Sequence, residues 1–219
     1  MSKYEYILFD VAGTLLYKPS FFDKILVILK ANGYKITKEE FIFKHKLLSE
    51  TIKFPDRTDK NFYNFFNEEL LYSLGVLPNN ILLDKIFTAC SYLPWEKFED
   101  TQVLEKIKQP IGIISNFNNT LRSKLDESFN INFCNIIVSE EIGISKPDLE
   151  FYKRALEIID VDPKKILYIG DSVKLDLHPA TLCGIDTLVI DRDNFYPCPA
   201  ATVTTADIDK QFFGGNGEL

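Results

Sequence analysis

The chain has 219 residues, 46% of them hydrophobic and 13% aromatic, which supplies a real core and argues against global disorder. Its formal net charge of −7 argues against a general nucleic-acid or anionic-membrane surface, although a local cationic pocket can still hold a small phosphorylated molecule. No apolar run approaches the roughly 18–20 residues of a membrane span, and no secretory leader is expected, since Met1-Ser2-Lys3 runs straight into the first core strand.

That first predicted strand, Tyr4–Phe9, ends on Asp10-Val11-Ala12-Gly13-Thr14-Leu15. A strand that delivers a carboxylate and then turns through a glycine puts the carboxylate at the carboxyl edge of a sheet, where open α/β folds bind ligands. The texture then turns helical. Phe21, Phe22, Ile25, Leu26, Ile28 and Leu29 recur near the helical period, and Asn32-Gly33 stops the first helix. Thr37-Lys38-Glu39-Glu40 has capping-box spacing and opens a second helix through Phe41 and Leu48. A third is predicted from Thr58 to Leu74, with Gly75 as its stop, and a fourth from Ile81 to Cys90. No strand falls among the four. They predict a helical module inserted after the first strand, with domains 1–16 plus 97–219 and 17–96, and Phe62–Phe66 as part of the module's own core.

From Thr101 onward, predicted helices at Thr101–Lys108, Thr120–Leu125, Asp148–Ile159 and Leu175–Cys183 alternate with strands. The strands are Ile111–Ser115, Asn135–Val138, Ile166–Gly170 and Asp186–Ile190. This is the pattern of a parallel sheet with right-handed crossovers. The fold class is therefore α/β, a Rossmann-like parallel sheet core with an inserted α-helical cap. The tail Gly214-Gly215-Asn216-Gly217 reads as a flexible end. Cys90, Cys134, Cys183 and Cys198 show no CxxC spacing, which favours reduced thiols in a cytoplasmic protein.

Three more runs end in polar residues as the first does. Ile111–Ile114 ends at Ser115-Asn116, Ile144-Ser145 leads to Lys146-Pro147, and Ile166–Ile169 ends at Gly170-Asp171-Ser172, with Asp176 following. One Asp fit to be a nucleophile, one hydroxyl, one lysine and an acidic pair are the parts of metal-assisted phosphoryl transfer. Each part also has a plainer reading. Asp10 can be a strand-end cap, Ser115 a turn residue, Lys146 a solvated loop lysine, and Asp176 a first-turn helix residue complementing the macrodipole. His45 and His178 lack ligand-like partners and read as ordinary surface or helix residues.

Taken together and in this order, the four stretches resemble the haloacid dehalogenase-like hydrolase superfamily, in its helical-cap, phosphatase-like branch. The resemblance implies that Asp10 attacks phosphorus to form an aspartyl-phosphate. It implies that Ser115 hydrogen-bonds a phosphoryl oxygen, with Asn116 and Lys146 in the same phosphate site and Lys146 neutralising the charge. It implies Mg²⁺ as cofactor, bound by Asp10, the backbone carbonyl of Ala12 and Asp171, with Asp176 a further ligand or an outer support. The expected activity is that of a Mg-dependent phosphatase acting on a small phosphorylated metabolite. Neither nucleic acid nor membrane is expected as a partner, and the chain is expected to be a monomer or weak homodimer.

One position departs from the pattern. Phosphatases of this family usually carry a second Asp two residues after the nucleophile, as general acid and base, and here that residue is Ala12. Three readings follow: a slow phosphatase that uses water, substrate or a cap residue instead; an enzyme similar to the phosphonoacetaldehyde hydrolase branch, with a cap lysine such as Lys44, Lys46 or Lys53 forming a Schiff base; or an impaired binding or regulatory module. The dehalogenase branch fits less well, because it typically carries an aromatic residue at this position and lacks the acidic pair.

Overall fold

The apolar run Tyr6-Ile7-Leu8-Phe9 forms the central strand of a parallel sheet, buried along its whole length. The computed structural model describes residues 3–197, so Cys198 and the glycine-rich tail lie outside the described residues. The chain divides into two compact units, one made of the residues up to Tyr17 and those from Lys97 onward, the other of Lys18–Glu96.

The first unit contains β1 (Tyr6–Phe9) and β2 (Leu16–Tyr17), and β2 forms a short two-stranded ribbon with β3 (Glu96–Lys97), whose two residues fall on either side of the division. β4 (Ile111–Ser115), β5 (Asn135–Val138), β6 (Ile166–Gly170) and β7 (Asp186–Val189) follow. Among the described residues the main sheet has five strands in the order β5-β4-β1-β6-β7, with parallel pairing throughout. Buried on both faces, the inner strands are continuous apolar runs rather than alternating ones. Phe9 pairs with Ile113 on one side and with Ile169 on the other. That register brings the residues after β1, β4 and β6 to one carboxyl edge.

The second unit is helical. Its helices are α1 (Phe21–Ala31), α2 (Lys38–Thr51), α3 (Lys60–Ser73) and α4 (Asn80–Cys90). The Thr37 hydroxyl accepts from the Glu40 amide at 3.1 Å, Asp59 from Phe62 at 2.8 Å, and Asn79 from Leu82 at 3.0 Å. Caps of this kind contribute about 1 kcal/mol each. Asp59 is why α3 starts two residues later than Thr58. Ile25, Leu29, Phe41, Phe66, Leu70, Leu71, Leu82 and Ile86 fill the core of this unit.

In the first unit, α5 (Leu121–Ser128) joins β4 to β5, α6 (Ser139–Ile142) and α7 (Leu149–Ile159) join β5 to β6, and α8 (His178–Leu182) leads to β7. α7 buries Phe151, Tyr152, Ala155 and Ile159 against Tyr6, Leu8 and Tyr168 of the sheet. Each large apolar side chain so buried contributes about 1.5–3 kcal/mol.

Some predicted elements change. The strand over Tyr4–Phe9 begins at Tyr6, and the last strand stops at Val189. The segment expected as a helix over Thr101–Lys108 is a 3₁₀ helix, Glu99–Lys106, cut short ahead of Gln109-Pro110. The one expected over Leu175–Cys183 opens as a π-turn, Val173–Leu177, before α8. Pro179 explains this: it has no N–H for the Leu175 carbonyl four residues earlier. The Tyr152 hydroxyl donates to that carbonyl instead. α6 and the β2–β3 ribbon were not expected from the sequence. No helix among the described residues is long and apolar enough to cross a membrane.

Candidate active site

The chain leaves β1 through a tight loop. The Asp10 amide still donates to Ile169 at 2.9 Å, so its side chain is aimed by the sheet itself. The Val11 carbonyl then accepts from Leu15 at 2.8 Å and Leu16 at 2.9 Å, and Gly13 turns the loop at φ +84°. That angle favours glycine, and so does the space: a Cβ on Gly13 would lie 2.8 Å from Cγ of Asp171.

Lys146 is the hub. Its Nζ donates to Asp10 Oδ1 at 2.6 Å, to Asp176 Oδ1 at 2.6 Å and to the Tyr168 hydroxyl at 3.1 Å. Those three bonds use the donors of one ammonium group. Lys146 is 3% exposed, Asp10 5% and Asp176 2%, so the cation and both carboxylates are held away from water. Both oxygens of Asp176 are engaged: its Oδ1 also accepts from the Tyr168 hydroxyl at 2.5 Å, and its Oδ2 from the Ser172 amide at 3.0 Å. Gly170 makes room for it, since a Cβ there would lie 2.5 Å from Asp176 Cγ. Ser115, buried at the end of β4, points its Oγ at Asp10 Oδ1 across 3.4 Å.

Charge follows from this packing. Burial, reinforced by Asp176 and Asp171 and opposed by Lys146, pushes Asp10 up to about 7. Burial pulls the Lys146 ammonium down, but Asp10 and Asp176 outweigh it and hold it protonated above its ordinary range. Burial and the Asp176 charge push the Tyr168 hydroxyl well above its usual value, so it stays a donor.

The sequence-derived residues converge, with one correction. Carboxylate oxygens of Asp10, Asp171 and Asp176 all lie within 4.8 Å of one another, a hard-oxygen donor set of the kind that divalent cations take. Lys146 does not end a strand, as its apolar neighbours Ile144-Ser145 suggested. It lies in the loop between α6 and α7, because the run is too short to pair and follows the left-handed turn at Gly143. Asn116 brings that loop in. Its side-chain amide donates to the Lys146 carbonyl at 2.9 Å, and its Oδ1 accepts from the Lys146 amide at 2.8 Å. Ala12 is exposed, two residues past Asp10.

In the helical unit Lys46 pairs with Glu50 at 2.9 Å. His45 is a helix residue, half-buried on α2. Its ring lies 5.2 Å from Phe22, 5.2 Å from Phe66 and 5.4 Å from Phe21, and burial followed by the Lys46 charge lowers it to about 4. His178 opens α8.

Two aromatic residues at the site were not singled out in the sequence, Tyr168 and Tyr152, whose rings meet edge to face at 6.1 Å. The signal for Tyr168 was its position two residues before Gly170 in a buried strand, where a hydroxyl needs a partner.

The haloacid dehalogenase-like hydrolase family model matches residues 4–184, and the chain belongs to that family. A glyceraldehyde 3-phosphate phosphatase from Methanothermobacter thermautotrophicus is 24% identical over 206 residues, covering 85% of each chain. Another of that name, from Methanocaldococcus jannaschii, is 40% identical over 58 residues, which are 26% of this chain and only 25% of that protein. The fold is shared with the HAD-hydrolase YfnB from Bacillus subtilis, solved with magnesium bound: the TM-score is 0.68 at 20% identity, over 97% of this chain and 100% of that one.

Proposed function

We propose that this hydrolase is a Mg²⁺-dependent phosphatase that acts on a small phosphorylated metabolite through Asp10. One observation carries the reading: Asp10 stands 2.6 Å from a buried ammonium and within 4.8 Å of two further carboxylates. Relatives named for a small phosphate ester support the substrate class.

Asp10, Asp171 and the Ala12 carbonyl would hold the cation. Asp176, whose oxygens already accept from Lys146, Tyr168 and Ser172, would serve as an outer support. When bound, Mg²⁺ supplies charge neutralisation for the phosphoryl oxygens. An Asp10 oxygen attacks phosphorus, the P–O bond to the leaving group breaks, and water then displaces Asp10 to release inorganic phosphate. Lys146 balances the negative charge that gathers in the first step, and the Ser115 hydroxyl donates to a phosphoryl oxygen. Ala12 offers the leaving oxygen no proton, which forfeits an acid/base contribution of roughly 10²–10⁴ in rate.

The test is a panel of glyceraldehyde 3-phosphate, phosphoserine, aryl phosphates and phosphonoacetaldehyde, assayed with Mg²⁺ and after chelation. Mg²⁺-dependent release of phosphate from the esters is expected. Turnover of phosphonoacetaldehyde alone with inactivation by borohydride, or no turnover of any substrate, would replace the reading with one of its alternatives.

A further inference from the structure

The residues that follow β7 lie beyond the stretch matched by the family model, yet they reach both loops of the acidic cluster. The Ile190 amide continues the sheet by donating to the Gly170 carbonyl at 2.8 Å. The chain then folds back on itself, because the Asp191 carboxylate accepts from the amides of Phe195 and Tyr196, each at 2.8 Å. This turn aims two side chains. The Tyr196 hydroxyl accepts from the Val173 amide at 3.1 Å and donates to the backbone carbonyl of Asp171 at 3.2 Å. Arg192 reaches the other loop, where it donates to the Thr14 carbonyl at 2.8 Å and the Gly13 carbonyl at 3.4 Å.

Arg192 is itself held in place. Its guanidinium forms a two-pronged pair with Asp100, at 2.6 and 3.2 Å, and stacks 3.7 Å above the Phe98 ring. A planar fork can meet a carboxylate, two carbonyls and a ring face together, which an ammonium cannot do. Its bonds to the active-site loop go to the carbonyls of Gly13, where the loop turns, and of the residue after it. One short segment thus ties the loop after Asp10 to the loop that carries Asp171.

We propose that Arg192 and Tyr196 are positioning residues that fix the spacing of Asp10 and Asp171 and so set the affinity of the acidic cluster for a divalent cation. The inference rests on the reading of that cluster as a Mg²⁺ site. It assigns to the segment after β7 a role in assembling the site, acting through the backbone rather than through any contact with substrate.

The test measures binding directly, by calorimetry with Mg²⁺ and by the electron paramagnetic resonance of Mn²⁺, on the full chain and without substrate. Tyr196→Phe removes one hydroxyl. It is expected to weaken binding about 10-fold, the lower end of what loss of an outer partner does to a metal site. Turnover, where present, should return at saturating Mg²⁺. Arg192→Ala is expected to weaken binding at least as much, and added methylguanidinium should restore it in part, whereas Arg192→Lys should stay weak. A wild-type chain that binds Mg²⁺ while Tyr196→Phe binds it equally well overturns the positioning role and leaves the metal site standing. A wild-type chain that binds neither cation overturns both. Should Arg192→Ala fail to fold, Tyr196→Phe alone decides.

Discussion

Gly13 and Asp171 occupy what is nearly one space: a Cβ on Gly13 would lie 2.8 Å from the Asp171 Cγ and closer still to Oδ2. The residue that turns the nucleophile loop therefore also leaves room for the carboxylate opposite. Gly13→Ala meets two penalties, a left-handed φ of +84° and this collision. The backbone term alone is worth about 1–2 kcal/mol. We expect a lowered thermal midpoint and loss of Mg²⁺ binding together. A variant that binds Mg²⁺ with wild-type affinity would show that Asp171 is free to move and need not sit where it does.

Asp10→Asn tests the nucleophile. The change is nearly isosteric and keeps an oxygen for the Lys146 ammonium, 2.6 Å away in the parent, so the fold should survive. Turnover should vanish, and trapping by beryllofluoride with Mg²⁺ should be lost with it. Phosphatase activity persisting in the Asn variant at more than trace level would remove the covalent route.

How much of this was legible in the sequence depends on whether a feature is local. β1, β4 and β6 announced themselves because burial on both faces demands unbroken apolar runs such as Ile111-Gly112-Ile113-Ile114, and the Thr37 cap was readable from spacing alone. Asp10, Ser115 and Asp171 could be placed because each ends such a run. Lys146 is legible by type, and the brevity of Ile144-Ser145 after Gly143 is the local sign that it lies in a loop, but the clamp by Asn116 that fixes that loop spans 30 residues and has no local signal. Arg192 was invisible: it meets Thr14 across 178 residues of sequence, and nothing periodic encodes that contact. Asn116, placed in the phosphate site by resemblance, spends its side chain on the lysine loop.

His45 gives a pH signature in the helical unit. Its ring is held neutral among Phe21, Phe22 and Phe66, with its pKa lowered by burial from the usual 6.5 to about 4. The unfolded chain therefore binds a proton at pH 5 that the folded chain does not, and stability contributed by this residue is present above about 6.5 and lost as pH falls through about 4. Asp10 works in the opposite sense when no metal is bound. With its pKa raised from 3.8 to about 7, its contribution is present below about 3.8 and is lost as pH rises through about 7. Urea titrations of the parent and His45→Phe between pH 4 and 8 separate the two. The parent should lose stability relative to the variant as pH drops below 6.5. Parallel curves for the two proteins would mean that His45 titrates as it does in the unfolded chain.

Ala12→Asp asks whether the missing carboxylate is an impairment or an adaptation. Residue 12 is exposed, so a carboxylate there need not be buried unpaired, and it follows Asp10 by two residues in the loop that Gly13 turns. If the chain is a phosphatase lacking its acid, an ester with a poor leaving group should be turned over about 10–10³-fold faster by the variant, part of the usual acid/base contribution. An aryl phosphate should gain less, because its leaving oxygen scarcely needs a proton. The two substrates together make the test specific, since better folding or tighter Mg²⁺ binding would raise both rates alike. Schiff-base chemistry on a lysine would gain nothing from the new carboxylate and could be slowed by pairing with it. Equal, low rates on the poor-leaving-group ester before and after the substitution would end the reading of Ala12 as a lost general acid.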